Sequence, residues 1–187
     1  MKHRLLCAAL IALGASAALA QDFDAAVEAE TCAACHGADG VPVVAEAPII
    51  WGQQFYYLYV QLRDYASDLR ANEIMGPLAS NYDKDQLKAL AEYFAAKPWP
   101  DVPSESAADL ASEAKAAFSA GECSQCHNNF DGDSRIPRLA GQTYDYLSST
   151  FHAFKDRVRM NAPDKAFLLE TFSDDEIEAM ARYLAAL

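Results

Sequence analysis

The feature that most constrains this 187-residue chain is that it repeats itself. Cys32-Ala33-Ala34-Cys35-His36 recurs as Cys123-Ser124-Gln125-Cys126-His127, displaced by 91 positions. Pro48-Ile49-Ile50-Trp51-Gly52-Gln53 returns as Pro137-Arg138-Leu139-Ala140-Gly141-Gln142, displaced by 89. Phe55, Leu58, Leu62, Tyr65 and Leu69 return at the same displacement as Tyr144, Leu147, Phe151, Phe154 and Val158. Leu87 to Ala95 matches Ile177 to Ala185, displaced by 90. A near-constant displacement through four blocks marks a duplicated unit. Each copy is only about 75 to 85 residues, a size whose core is marginal without a staple.

Each copy reads as helical, so the expected class is all-α. An Ala-rich stretch precedes the cysteines (Phe23 to Glu30; Ala107 to Ala120), and a stripe of apolar residues three and four apart follows each Gly-Gln. The last helix of each copy has a start signal: Asp83 with Gln86, and Ser173 with Glu176. Between the copies Pro98, Pro100 and Pro103 end a helix and favour an extended connector. The expected division is a leader over 1–20, an N-terminal domain over 21–97, a Pro-rich linker over 98–108 and a C-terminal domain over 109–187.

The leader has the pattern of an export signal. Lys2, His3 and Arg4 precede an apolar run from Leu5 to Leu13, and small residues end in Ala18-x-Ala20. The run is too short to span a bilayer, and no later segment is long and apolar enough, so an exported, periplasmic protein that does not span the membrane is expected. Without the leader 13 basic side chains face 27 acidic ones, a net near −14. That sign excludes nucleic acid as a partner and favours partners with basic docking surfaces.

Once Cys7 leaves with the leader, the remaining cysteines are Cys32, Cys35, Cys123 and Cys126. Zinc sites built from two Cys-x-x-Cys pairs hold them closer together in sequence. A thioredoxin-like redox pair needs a βαβ setting, which is missing, and local disulfides leave the adjacent histidines unexplained. Cys-x-x-Cys-His is the attachment pattern of a c-type haem: the thiols bond the vinyl groups and the histidine ligates iron. The expected cofactors are therefore two haem c groups, held by Cys32 and Cys35 with His36, and by Cys123 and Cys126 with His127. The carbonyls of Pro48 and Pro137 are candidate acceptors for the histidines' other ring N–H.

A methionine thioether often caps such an iron on the far side. Met180 matches Leu90 inside the last helix and reads as a core filler. Met75 and Met160 remain, one per copy, each between the middle and last helices. Met75 lies five residues after Arg70, whereas Met160 directly follows the equivalent Arg159. His152 matches Arg63 and reads as a surface residue. Arg70, Arg138 and Arg159 are candidates to face haem propionates, with solvated surface as the safer reading.

On the two Cys-x-x-Cys-His motifs, the paired Pro-x-Ile/Leu-x-Gly-Gln segments, Met75-Gly76-Pro77 and the closing helices, the chain resembles the dihaem class I c-type cytochromes of the cytochrome c4 type. The resemblance covers essentially the whole chain after the leader. It implies two class I cytochrome c-like domains, each wrapped around one haem, with axial pairs His36/Met75 and His127/Met160. It also implies an electron carrier rather than an enzyme, with a membrane-bound terminal oxidase or a dehydrogenase as redox partner. The alternatives are a dihaem subunit of a periplasmic dehydrogenase acting on sulfur or similar compounds, or a haem enzyme or sensor if the second iron is open.

Overall fold

The computed structural model describes residues 23–187; the leader and Cys7 lie outside them. Helices α1 (Ala25–His36), α2 (Phe55–Ala66), α3 (Met75–Ala79) and α4 (Lys84–Ala95) belong to the first half. The second half holds α5 (Ala111–Ala120), α6 (Cys123–His127), α7 (Tyr144–Lys155), α8 (Pro163–Leu169) and α9 (Asp174–Ala185). No strand occurs among the described residues, and residues 98–107 carry no regular structure.

The helix starts are chemical. Asp24 caps α1 by accepting from the Ala26 N–H. Asp83 with Gln86 and Ser173 with Glu176 form complete capping boxes on α4 and α9, satisfying N–H groups that the first turn leaves free. Pro163 opens α8, where its missing N–H costs nothing. The two copies differ at the cysteines. In the first, α1 runs through the motif to His36. In the second, the helix stops at Ala120 and restarts at Cys123, because Glu122 turns left-handed at φ 50°. The expected Ala-rich helix is therefore continuous with the motif in one copy and broken from it in the other.

The closest helix packing lies within each half: α2 with α3 and α4, α1 with α4, then α7 with α8 and α9, α5 with α9. Each half has its own core. Leu58, Leu90, Ala91 and Phe94 fill the first; Phe118, Leu147, Ile177, Met180 and Leu184 fill the second. Met180 is 2% exposed, a core residue as its match with Leu90 suggests.

A pseudo-symmetric set of hydrogen bonds joins the halves. The Ile49 N–H donates to Gln142 Oε1 at 2.8 Å, and Gln142 Nε2 donates to the Ile49 carbonyl at 3.0 Å. Reciprocally, the Arg138 N–H donates to Gln53 Oε1 at 2.8 Å, and Gln53 Nε2 donates to the Arg138 carbonyl at 2.9 Å. Ile49 and Arg138, like Gln53 and Gln142, are equivalent positions of the duplication, so each copy grips the same backbone residue of the other. Both glutamines are buried. Trp99 lies over the joint: a Cβ on Gly52 would meet its backbone N at 2.8 Å, and one on Gly141 its Nε1 at 3.2 Å.

Candidate haem sites

The two Cys-x-x-Cys-His segments present a buried histidine each. His36 Nδ1 lies 2.8 Å from the Pro48 carbonyl, and His127 Nδ1 lies 3.0 Å from that of Pro137. A carbonyl only accepts, so in both bonds Nδ1–H donates and the lone pair is left on Nε2, the tautomer an iron ligand needs. Burial lowers the basicity of His36 more than the bond to Pro48 raises it. Burial likewise leads the lowering at His127, opposed by Pro137 and helped by the charge of Lys165. Neutral imidazoles follow.

The four cysteines carry free thiols, and none pairs as a disulfide. Cys32 and Cys123 pack beside the first and second cores, while Cys126 is exposed. Burial holds the Cys32 and Cys123 thiols above the usual range. Among the described residues no cluster of three or more His, Cys, Asp or Glu gathers at one point, so the two motifs do not combine into a four-cysteine metal site.

One apolar cavity of about 350 Å³ serves both motifs. Cys32, His36 and Met75 line it from the first half, and His127 from the second. Ile49, Leu58, Leu62, Leu90 and Phe94 give one part its apolar wall, and Leu139, Leu147, Phe151 and Phe154 the other. Met160 does not line the cavity and is 41% exposed. Lys165 does line it. His152 lies elsewhere, with Nε2 2.9 Å from Glu178 and Nδ1 4.0 Å from Asp174.

Where the halves meet, the cavity is polar. Arg70 donates to Gln61 at 3.0 Å and to the Tyr146 hydroxyl at 3.2 Å. Arg159 donates to Gln61 at 2.9 Å and reaches Tyr57 at 3.5 Å. Tyr57 and Tyr146 are themselves a pair displaced by 89, so each arginine reaches toward the tyrosine of the other copy. Burial raises the Tyr57 hydroxyl pKa, whereas for Tyr146 the charges of Arg70 and Arg159 outweigh burial and lower it. Solvated surface, the safer sequence reading for these arginines, is corrected for Arg70 and Arg159. Arg159 is 8% exposed, and both guanidiniums line the cavity. Arg138 also lines it but stacks over Trp99 at 4.6 Å and stays near Asp131.

Neither Arg70 nor Arg159 pairs with a carboxylate among the described residues. The buried carboxylate nearby, Asp64, is held by Arg63 and Asn161. Buried cations without a counter-ion are costly, by several kcal/mol each. The cavity is thus apolar along its walls, cationic at its joint and flanked by two histidines with free Nε2 lone pairs. That donor set fits a flat apolar macrocycle bearing carboxylates. Sequence reasoning missed Tyr57, Tyr146, Gln61 and Lys165; the displacement of 89 that pairs the tyrosines was the available signal.

No family model matches the chain. It is 34% identical over 170 residues to the thiosulfate dehydrogenase electron acceptor of Stutzerimonas stutzeri, covering 84% of this chain and 79% of that protein. It is 32% identical over 169 residues to the cytochrome c4 of Thiocapsa roseopersicina, covering 83% and 86%. The solved cytochrome c4 structure from Acidithiobacillus ferrooxidans superposes with a TM-score of 0.77 at 28% identity, covering 85% of this chain and 99% of that one.

Proposed function

The chain belongs to the cytochrome c4 family of dihaem class I c-type cytochromes, and we propose that it works in the periplasm as a freely diffusing electron carrier between redox proteins. It is a dihaem electron-transfer cytochrome with two class I domains and two haem c groups. Each haem supplies a one-electron iron couple, so the protein's part is to hold, orient and insulate.

In this reading Cys32 and Cys35 bond the first haem, and Cys123 and Cys126 the second, each S–H adding across a vinyl group. His36 and His127 ligate iron through Nε2, their orientation held by Pro48 and Pro137. Met75 caps the first iron. Arg70 and Arg159, with Tyr57 and Tyr146, receive the carboxylates at the joint. The domains span 21–97 and 109–187, with 98–108 between them. The single observation that carries this is the paired arrangement itself: two buried histidines, each bonded to a carbonyl twelve or ten residues on, face one apolar cavity with uncompensated arginines at its centre.

The acidic surface supports partners with basic docking faces, such as a terminal oxidase. Among the described residues no helix is long and apolar enough to cross a membrane. A second reading is favoured by the similarity to a thiosulfate dehydrogenase electron acceptor, in which the donor is a sulfur-oxidising dehydrogenase.

Haem quantitation of the matured protein tests the reading. Two covalent haems per chain are expected, and one each in the Cys32→Ser/Cys35→Ser and Cys123→Ser/Cys126→Ser variants. Fewer than two in the unaltered chain would overturn it. Co-purification with a dehydrogenase through a gel-filtration step would replace the free carrier with the second reading.

A further inference from the structure

The duplication places a lysine where the first copy has its methionine. Met75 precedes Leu87 by 12 residues, and Lys165 precedes Ile177, the equivalent core residue, by the same 12. Leu87 and Ile177 are both buried, at 3% and 0% exposed, so they fix a common frame. Met75 is on α3, which packs on α2; Lys165 is on α8, which packs on the equivalent helix α7. Both side chains line the cavity, each from the same half as its histidine.

Lys165 is also chemically available. Its Nζ makes no hydrogen bond or ion pair among the described residues, although 27 acidic side chains are available in the chain. The other polar groups that the second half turns to the cavity near it are engaged: Asn161 donates to Gln61 and Asp64, Arg159 donates to Gln61, and the Tyr146 hydroxyl accepts from Arg70. Lys165 lines the cavity together with His127, Leu147 and Phe151 of its own half, which places it in the second site. Met160, by contrast, stands outside the cavity.

We infer that Lys165, and not Met160, supplies the distal ligand of the second iron, through the lone pair on Nζ. The inference rests on the dihaem reading above. Coordination releases one proton from the ammonium to solvent, and no electron changes hands. Unlike a guanidinium, a lysine ammonium can give up that proton and present a lone pair. An amine is a harder donor than a thioether and favours ferric iron, so the second site takes the lower potential of the two. The copies then differ in the one property that gives a two-centre carrier a direction.

The test uses the matured dihaem protein and its spectra. Methionine-ligated ferric haem has a weak far-red charge-transfer band that an amine ligand does not give. Lys165→Met should double that band per chain and draw the two reduction midpoints together. Met160→Ala should leave band and midpoints unchanged. Lys165→Ala should open one site, so that the reduced chain binds one carbon monoxide where the unaltered chain binds none. A halved band in Met160→Ala, or a Lys165→Ala variant that stays fully low-spin and does not bind carbon monoxide, would overturn the assignment. Haem stoichiometry is read on every sample: fewer than two haems in the unaltered chain defeats the dihaem reading, whereas two haems with a silent Lys165 defeats the lysine alone.

Discussion

Glu178 shows how a single position separates the two copies. Its counterpart, 90 residues earlier, is Lys88, which only makes an exposed pair with Glu92. Glu178 instead accepts from Ser148 at 2.6 Å, from the Tyr144 hydroxyl and from His152 at 2.9 Å, tying α9 to α7. Partial burial raises its pKa, but these donors outweigh burial and hold it below the usual glutamate value. A carboxylate with a depressed folded-state pKa stabilises the fold above its unfolded pKa, and the contribution is lost as pH falls through the folded value. Glu178→Gln should therefore cost about 1 to 2 kcal/mol near neutral pH. The difference from the unaltered protein should shrink as pH drops below the ordinary carboxylate range. Urea midpoints of the two proteins, taken from neutral pH downward, check this; a pH-independent gap would mean that the charge plays no part. Lys165 was readable at the same scale, since its distance from Ile177 equals that of Met75 from Leu87. That register is masked by Met160 nearby in sequence, which has the commoner ligand type.

At the scale of elements, whatever depends on neighbouring residues was legible. Both capping boxes could be read directly, because cap and partner lie three residues apart. Ser173→Ala should destabilise α9 by about 1 kcal/mol, measured by thermal melting of the second half. Elements that depend on packing were not legible. The left-handed turn at the non-glycine Glu122 has no local signal, although Gly121 directly before it marks where α5 ends. The connector was expected as an extended spacer, yet Trp99 in it sits against both Gly52 and Gly141. Those glycines take φ 67° and 71°, which costs an L side chain about 1 to 2 kcal/mol. They then differ in what lies beyond. A Cβ on Gly52 meets backbone, the Trp99 N and the Lys97 carbonyl, whereas on Gly141 it meets only the Trp99 indole. Gly52→Ala should thus lower the denaturation midpoint more than Gly141→Ala does. Equal shifts would show that backbone conformation alone sets the cost.

The duplication announced two domains but not how they face each other, since no local pattern encodes a contact between copies. Gln53 and Gln142 were visible only as repeated letters; in the fold each holds both backbone polar groups of Ile49 or Arg138 in the other half. Ile49 directly follows Pro48, whose carbonyl accepts the hydrogen bond from His36 Nδ1–H, and Arg138 directly follows Pro137, the acceptor for His127. The glutamine of one domain therefore steadies the segment that orients the histidine of the other. Gln142→Ala would leave two buried backbone groups unpaired, at about 1 to 3 kcal/mol each. The expected result is crosswise: Gln142→Ala, a change in the second half, disturbs the paramagnetic NMR shifts of the first half's His36, and Gln53→Ala those of His127. Because ligand basicity follows the bond at the other ring nitrogen, each variant should also move the reduction midpoint of the opposite domain more than its own. Calorimetry should show the domains melting less cooperatively in either variant. In the double variant the second substitution should cost less than it does alone, because both clamps close one joint and the first loss already opens it. Perturbation confined to the mutated domain would mean that the joint is passive, and strictly additive losses would mean that the clamps act independently.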